Sequence, residues 1–164
     1  LAERGMNLID GRSVAVLESI SVRDAMVMDH ETVHEQEPVS EIYARLLKTR
    51  YPFFPVVNSQ GVYSGLLTVD MVQEAWSSQT ETSNAPLSKL LEAKDLLYRA
   101  NSKTPSVKVG DRLSATGGVF DDIPCVPVLG EDGKVIGLLF SYHVRLAYDR
   151  EVTRRSLSLD NNEA

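Results

Sequence analysis

The chain has 164 residues, with 23 acidic side chains against 17 lysines and arginines, so its formal net charge is −6. This balance excludes a nucleic-acid binder that works through a general positive field, and a hydrophobic content of 43% excludes a disordered chain. A single cysteine, Cys125, cannot form an internal disulfide, and no apolar run approaches the roughly 20 residues that cross a bilayer. Because the sequence starts at Leu1, without a leader, we expect a piece of a longer intracellular protein.

The dominant feature of the sequence is an internal repeat with an offset of 72 residues. The stretch PFFPVV at 52–57 resembles the stretch PCVPVL at 124–129. The same offset aligns further pairs, namely Gly61 with Gly133, Gly65 with Gly137 and Val72 with Val144. Shared glycines and prolines carry weight because each fixes a backbone conformation that few other residues allow. The sequence therefore predicts two copies of one structural unit.

Each copy predicts the element order β-α-β-β-α. In the first copy we expect a strand at Thr32 and Val33, a helix that begins at Pro38, strands at 53–57 and 62–68, and a helix at 69–76. In the second copy we expect a strand at Ser106 and Val107, a weak helix interrupted by Gly117 and Gly118, strands at 126–129 and 134–140, and a helix at 142–148. The strands at each centre are separated by a short loop with a glycine, which is typical of a β-hairpin.

Polar segments separate and follow the two copies. Residues 77–89 lack an apolar period and predict a flexible connector, and residues 151–164 predict a frayed tail. A unit of about 60 residues buries only ~60% of its unfolded surface, so two related units gain stability by sharing a core. We expect them to pack about a pseudo-twofold axis, which leaves clefts of the kind where small ligands bind.

The repeat resembles a tandem pair of CBS domains, the small βαββα modules named after cystathionine β-synthase. The resemblance rests on the opening VRDAM at 22–26, PVV at 55–57 and GLLT at 65–68, and in the second copy on AKDLL at 93–97, PVL at 127–129 and GLL at 137–139. It implies an α/β (α+β) fold with a first module at 21–76 and a second at 90–150. It also implies a regulatory module, not an enzyme.

Residues 1–26 resemble the segment that links the last membrane helix to the CBS pair in CLC chloride channels and transporters. The match rests on LAERGM at 1–6, Gly11-Arg12 and LESISVRDAM at 17–26. It implies that residues 1–20 are a membrane-proximal linker and that the chain is the cytoplasmic domain of an integral membrane protein. The partners it implies are the chain's own membrane domain and a second copy in a homodimer, with no nucleic acid.

Many CBS pairs bind AMP, ADP or ATP between apolar side chains, with the ribose held by an aspartate in a Thr/Ser-x-x-Asp motif. Here Asp70 comes one residue early after Thr68, and Met71 holds the expected place, while Phe140 and His143 replace the hydroxyl and acidic residues of the second copy. One residue is about 100° around a helix, so Asp70 is expected to point away from a ligand and instead to cap its helix. If a nucleotide binds, the residues implied are Phe53, Phe54, Thr68, Asp70, Cys125, Val126, Ser141 and His143.

Two other interpretations are compatible with the sequence. The string His30-Glu31-Thr32-Val33-His34 has the spacing of a zinc hydrolase motif, but the repeat places it on a strand, where i and i+4 residues lie ~13 Å apart. We therefore expect no metal site there. Alternatively, the same CBS pair serves another transporter or a metabolic enzyme.

Overall fold

The computed structural model describes residues 11–81, 91–100 and 104–163, with side chains described up to residue 78 in the first range and residue 159 in the last. The architecture is mixed α+β with two small three-stranded sheets, which confirms the predicted fold class. Within the described ranges, no helix combines the length and apolar character that crossing a membrane requires.

The first sheet contains β1 (Val33–His34), β2 (Phe53–Val57) and β3 (Tyr63–Thr68), in the order β1-β2-β3. Strand β1 runs parallel to β2, and β2 forms an antiparallel hairpin with β3. Helix α3 (Val39–Arg45) lies between β1 and β2 in the chain, and α4 (Val69–Glu81) follows β3 directly. These are the β-α-β-β-α elements that the sequence predicts for the first copy.

The second sheet repeats this plan with β4 (Val107–Lys108), β5 (Cys125–Leu129) and β6 (Val135–Phe140). Its first helix is reduced to two short 3₁₀ segments, Leu113–Ala115 and Gly117–Phe120, where the paired glycines weaken an α-helix. Helix α6 (Ser141–Glu163) follows β6 directly.

Both hairpin turns place glycine where the backbone requires it. Gly61 and Gly133 have φ angles of +80° and +78°, a left-handed conformation that only glycine adopts without strain. In each turn a side chain fastens the loop, since Asn58 Oδ1 accepts the backbone N–H of Gln60 at 2.9 Å and Asp132 Oδ1 accepts that of Lys134 at 3.1 Å. The aligned glycines of the repeat therefore mark two equivalent turns.

The described residues form two compact units. The first-sheet unit contains residues 29–100, 104–105 and 131–135, as far as they are described, and the second-sheet unit contains residues 11–28, 106–130 and 136–163. Each unit therefore includes the opening segment of the other copy of the repeat. The predicted module limits at 21–76 and 90–150 describe the sequence repeat, and the compact units cut across them.

We call the opening segment that each unit takes from the other copy its exchanged segment. In the first-sheet unit this segment is α5 (Ala93–Arg99). Its start is fixed by backbone hydrogen bonds, because the N–H of Val39 donates to Leu91 and the N–H of Ala93 donates to Glu37. The core of this unit consists mainly of Val33, Val39, Ile42, Phe54, Val56, Leu67, Val72 and Leu96. Helix α5 is thus part of this core through Ala93 and Leu96.

In the second-sheet unit the exchanged segment contains α1 (Gly11–Glu18) and α2 (Val22–Ala25). The N–H of Val22 donates to Asp111 at 2.9 Å, and the N–H of Leu113 donates to Ile20 at 2.9 Å. Val16, Leu17, Ile20 and Val22 join Leu113, Val126, Val128, Leu139 and Val144 in the core of this unit. Residues 11–25, which include the described part of the predicted linker, are therefore built into the second-sheet unit.

Two predicted irregular segments are helical. Helix α6 continues to Glu163, so the prediction of a frayed tail after residue 150 is wrong: i,i+3 and i,i+4 ion pairs from Glu151 to Arg154 and Arg155 support the extension. Helix α4 continues to Glu81, well into the predicted connector. The rest of that connector lies outside the described residues.

Candidate functional site

The first candidate site lies where β3 passes into α4. Phe53, at the start of β2, is directly opposite Thr68, the last residue of β3. The Thr68 hydroxyl accepts the backbone N–H of Met71 at 3.2 Å, so it caps the first turn of α4. Asp70 is exposed in the same turn, where a carboxylate interacts favourably with the positive end of the helix dipole. Phe53, Thr68 and Asp70 thus surround one helix N-terminus.

The second candidate site occupies the equivalent place, where β6 passes into α6. Phe140 replaces the capping threonine, so the residue that precedes α6 has no side chain able to accept its first N–H groups. Ser141 is the first residue of α6, and its backbone N–H donates to the carbonyl of Pro124 at 2.9 Å. The remaining first-turn amides point along the helix axis and favour an anion.

His143 lies in this first turn of α6, with its ring fixed by aromatic neighbours. The ring centroids of Phe140 and Tyr142 are both 5.5 Å away, with interplanar angles of 90° and 66°. Its Nδ1 atom is buried and forms no hydrogen bond within the described part of the chain. A buried polar atom without a partner costs about 1–3 kcal/mol, so it indicates a place for a ligand or an ordered water.

Three of the residues that the resemblance implies have no surface to offer a ligand. Phe54 is completely buried in the first-sheet core, and Val126 is completely buried in the second-sheet core. Cys125 is also completely buried, and desolvation raises the pKa of its thiol to about 12. Four consecutive residues of β5 and three of β2 are buried, so both faces of these strands are covered there, which leaves Phe53, Thr68, Asp70, Ser141 and His143 for contact.

Met71, which stands where the resemblance expects the ribose-binding aspartate, lines a groove of about 200 Å³ between α4 and α5. Ala75 and Leu96 form apolar walls of this groove, and Glu74 and Arg99 lie at its rim. Methionine cannot accept the two hydroxyl hydrogens of a ribose as a carboxylate does. A ribose at this site would therefore need another acceptor.

The zinc hydrolase interpretation fails on local geometry. Its motif requires a helix, but His34 lies on strand β1 and residues 28–32 are irregular. His34 Nδ1 accepts the backbone N–H of Gln36 at 3.1 Å, and Glu31 accepts the hydroxyl of Thr49 at 3.0 Å. No cluster of three or more His, Cys, Asp and Glu side chains suited to a metal occurs in the part of the chain that the structure describes.

An ionic cluster on α6, which was not predicted from the sequence, lies beside hydrogen bonds that join this helix to Ser13 and Ser19. Glu151 accepts hydrogen bonds from Arg154 and Arg155, which lower its pKa to about 2. Arg155 also donates to the Ser19 hydroxyl at 3.0 Å, and the Tyr148 hydroxyl lies 3.2 Å from that of Ser13. The Glu-x-x-Arg-Arg spacing was the available signal for the ion pairs, because it places both arginines one helical turn from the glutamate.

The chain matches a known family in part of its length. Residues 14–77 match the family model of the CBS domain. No curated protein matches the chain in sequence. Residues 14–77 are therefore similar to the CBS domain, a family of regulatory modules.

Solved structures share the fold over most of the chain. CbpB in complex with c-di-AMP is similar with a TM-score of 0.68 and 11% identity, over 90% of this chain and 96% of CbpB. CBSX2 in complex with AMP has a TM-score of 0.60 and 18% identity, over 86% and 98%. A CBS domain-containing protein from Bacillus anthracis str. Ames Ancestor has a TM-score of 0.63 and 17% identity, over 82% and 96%. The fold is that of CBS-domain proteins, with matches that extend well beyond residues 14–77.

Proposed function

We propose that this chain is a CBS-pair regulatory domain that binds an adenine nucleotide and regulates a CLC-type chloride channel or transporter. The CBS match at residues 14–77 and the fold similarity support the regulatory role. Two proteins with this fold are described in complex with AMP and with c-di-AMP, which supports an adenine nucleotide as the ligand. The resemblance of residues 1–26 to the CLC linker supports the parent protein.

The observation that carries the nucleotide proposal is the uncapped start of α6 beside the unpartnered Nδ1 of His143. A phosphate accepts hydrogen bonds from first-turn amides that the Phe140 side chain cannot cap, and the helix dipole favours its charge. His143 Nδ1 then finds a donor or acceptor on the ligand, which removes the cost of its buried, unsatisfied state. In the first site, Thr68 already caps α4, so an anion there gains fewer hydrogen bonds.

The linker segment connects the candidate ligand site on α6 with the proposed parent protein, so it can transmit the effect of ligand binding. Leu17 is completely buried in the second-sheet core, and Ser13 and Ser19 are hydrogen-bonded to residues of α6. Helix α6 therefore holds the linker at its side and the candidate ligand site at its N-terminus. Helix α1 is in equilibrium between a docked and a displaced position. A ligand whose affinity differs between these two states shifts the equilibrium by the difference in its binding free energy.

The same proposal includes assembly as a homodimer at the cytoplasmic side of the membrane. The resemblance to the CLC family implies both. Exposed apolar side chains in the first-sheet unit, Tyr43 and Leu47 among them, offer surface for a subunit contact, with Tyr43 stacked on Trp76 at a centroid distance of 4.9 Å. Analytical ultracentrifugation of the chain tests this contact, and a monomer at all concentrations would contradict it.

A thermal-shift panel tests nucleotide binding. The ligands are AMP, ADP, ATP, c-di-AMP and S-adenosylmethionine, with Mg²⁺. Binding to the folded state alone stabilises it by about 2.7 kcal/mol at a ligand concentration of one hundred times Kd. We expect at least one adenine nucleotide to raise Tm, and absence of a shift with all of them would refute the proposal.

Two pairs of variants locate the site. His143→Gln removes the imidazole at the second site, and Tyr142→Phe changes its exposed neighbour as the control. Asp70→Asn removes the carboxylate at the first site, and Glu41→Gln, which removes an exposed carboxylate on α3 outside the α4–α5 groove, is its control. We expect His143→Gln to weaken binding at least tenfold and both controls to leave Kd unchanged. A loss of nucleotide affinity in Asp70→Asn, with none in His143→Gln, would instead indicate binding at the first site.

The parent is tested separately, by reading the transcript upstream of the codon for Leu1. We expect an apolar helix of about 20 residues to end a short distance before it. An upstream enzyme domain would contradict the CLC assignment and leave the nucleotide proposal intact.

A further inference from the structure

The end of helix α6 carries an exposed hydroxyl beside two arginines. Arg154 donates to Glu151 at 2.6 and 3.0 Å, and Arg155 donates to Glu151 at 3.0 Å. Ser158 follows these arginines by four and three residues and is exposed. Residues three and four apart are neighbours on a helix surface, so Ser158 lies one turn after both arginines, whose guanidinium groups are bonded to Glu151 one turn before. Glu151 and Ser158 thus flank the same two arginines from opposite sides.

We propose that Ser158 is a phosphorylation site whose phosphoryl group competes with Glu151 for Arg154 and Arg155 and releases the linker segment. A kinase that selects arginine before its acceptor recognises the same two side chains, because its substrate groove is acidic. The reacting partner is a Mg²⁺-bound nucleoside triphosphate. The Ser158 Oγ forms a bond to the γ-phosphorus, the bond from that phosphorus to the β-bridging oxygen breaks, the nucleoside diphosphate leaves, and the hydroxyl proton passes to the kinase base.

The phosphoryl group has an electrostatic advantage over Glu151. It carries a charge of about −1.5 to −2 at pH 7 and three acceptor oxygens, against a single charge on the carboxylate. The low pKa of Glu151, about 2, shows that the arginines already stabilise an anion at one turn's distance. Ser158 precedes the last turn of α6, so the unfavourable end of the helix dipole acts on it weakly.

Release of the linker follows from the second hydrogen bond of Arg155. Its Nη2 donates to the Ser19 hydroxyl at 3.0 Å, and that hydroxyl donates to the Val16 carbonyl at 2.6 Å. When Arg155 turns towards a phosphoryl group on residue 158, it moves away from Ser19. The segment after α1 then loses a charged donor that fastens it to α6. This regulation acts on the linker and does not require the nucleotide site.

Two nearby hydroxyls provide the contrast that the experiment needs. Ser156 is exposed, but it lies one and two residues from the arginines, on a different face of the helix. Thr153 donates its hydroxyl to the carbonyl of Asp149 at 2.9 Å, as an ordinary helical threonine does. Phosphoserine at position 156 is therefore a matched control for phosphoserine at position 158.

The structural effect is tested on the full chain with genetically encoded phosphoserine at position 158 or 156. Amide hydrogen exchange is measured across residues 16–20. We expect exchange there to increase about fivefold with the modification at 158 and to stay unchanged with it at 156, since loss of one charge-assisted hydrogen bond has an effect of this size. Arg155→Gln should give the same increase without modification. Equal exchange in the unmodified chain, the two phosphoserine proteins and Arg155→Gln would overturn the proposal.

The modification itself is tested with an arginine-directed protein kinase and Mg²⁺-ATP, and the acceptor is mapped by mass spectrometry. We expect phosphate at Ser158, none there in Ser158→Ala, and several-fold less in Arg155→Gln. Phosphate on Ser156 or Thr153 in place of Ser158 would refute the site. Circular dichroism of each variant confirms that α6 is retained, so a loss of phosphate cannot come from unfolding.

Discussion

Adding one methyl group at Gly137 should destabilise this protein more than adding one at Gly65, although the two glycines are equivalent in the repeat. A Cβ at Gly137 would lie 2.7 Å from the backbone oxygen of Val27. A Cβ at Gly65 would lie 2.8 Å from the methyl carbons of Leu97. A side-chain end can rotate away, whereas a backbone carbonyl in a hydrogen-bonded pair cannot.

The loss of stability in Gly137→Ala can be worked out from the backbone hydrogen bonds that would stretch. Ordinary contact begins at 3.4 Å, so Val27 must retreat by about 0.7 Å. Val27 and Leu138 exchange two backbone hydrogen bonds, of 2.8 and 2.9 Å, and the retreat stretches them beyond the usual range of about 2.7–3.2 Å. Each bond contributes about 0.5–1.5 kcal/mol, so Gly137→Ala should cost about 1–3 kcal/mol. For Gly65→Ala, partial exposure of Leu97 should cost about 1 kcal/mol or less.

Urea unfolding followed by far-UV circular dichroism measures both changes. Gly118→Ala is the control, because a Cβ there meets nothing within 4 Å and should leave the midpoint unchanged. Trp76, the single tryptophan, reports on the first-sheet unit through its fluorescence. A destabilisation by Gly137→Ala equal to or smaller than that by Gly65→Ala would show that the Val27 backbone yields freely and would refute this reasoning.

Three further predictions concern other parts of the chain. Leu17→Ala should lower the free energy of unfolding by about 2–5 kcal/mol, because Leu17 is completely buried, and a cost under 1 kcal/mol in a denaturant titration would contradict the docking of α1. The Cys125 thiol, with a pKa of about 12, should be ionised in only about one molecule in ten thousand at pH 8. Iodoacetamide should therefore label Cys125 only after unfolding. Rapid labelling of the native protein would contradict its burial. The arginines lower the Glu151 pKa from 4.5 to about 2, so its ionised form stabilises the fold above pH 4.5 and this contribution disappears as the pH falls towards 2. The Tm difference between the native chain and Glu151→Gln should therefore be constant above about pH 5.5 and shrink at lower pH, and a difference independent of pH would exclude the ion pairs.

The repeat predicted those parts of the fold that depend on local backbone chemistry. Gly61 and Gly133 predicted the two turns, and the apolar stretches beside them predicted β2, β3, β5 and β6 within one residue. Turn glycines and strand alternation act over a few residues, so a single sequence contains the whole signal.

The exchange of opening segments could not be predicted in this way. It depends on contacts between residues far apart in the chain, such as Val27 with Leu138 and Val39 with Leu91. Gly65 and Gly137 carried an indirect signal, because each lacks a side chain where an exchanged segment approaches. The sequence shows such a glycine but does not show which segment approaches it.

The positions of the candidate sites in the fold were predictable, but which of their side chains a ligand can reach was not. The resemblance placed Thr68, Asp70, Ser141 and His143 at two strand-to-helix junctions, and the structure places them there. Phe54, Cys125 and Val126 are buried because both faces of β2 and β5 are covered, and a continuous apolar run does not show which of its residues a ligand can still reach.

The differences between the two copies favour the second-sheet unit as the place of the proposed regulation. Positions that fix the backbone are the same in both copies, as Gly61 and Gly133 show. Positions at the helix starts differ, since Thr68 caps α4 while Phe140 leaves α6 without a cap. The uncapped helix is also the one that holds α1, through Tyr148 and Arg155. An anion at one end of α6 and a phosphoryl group near the other would both act on the helix that contacts residues 13–19. Phosphorylation of Ser158 should therefore change the affinity for the anion by the difference in its binding free energy between the docked and displaced states of α1.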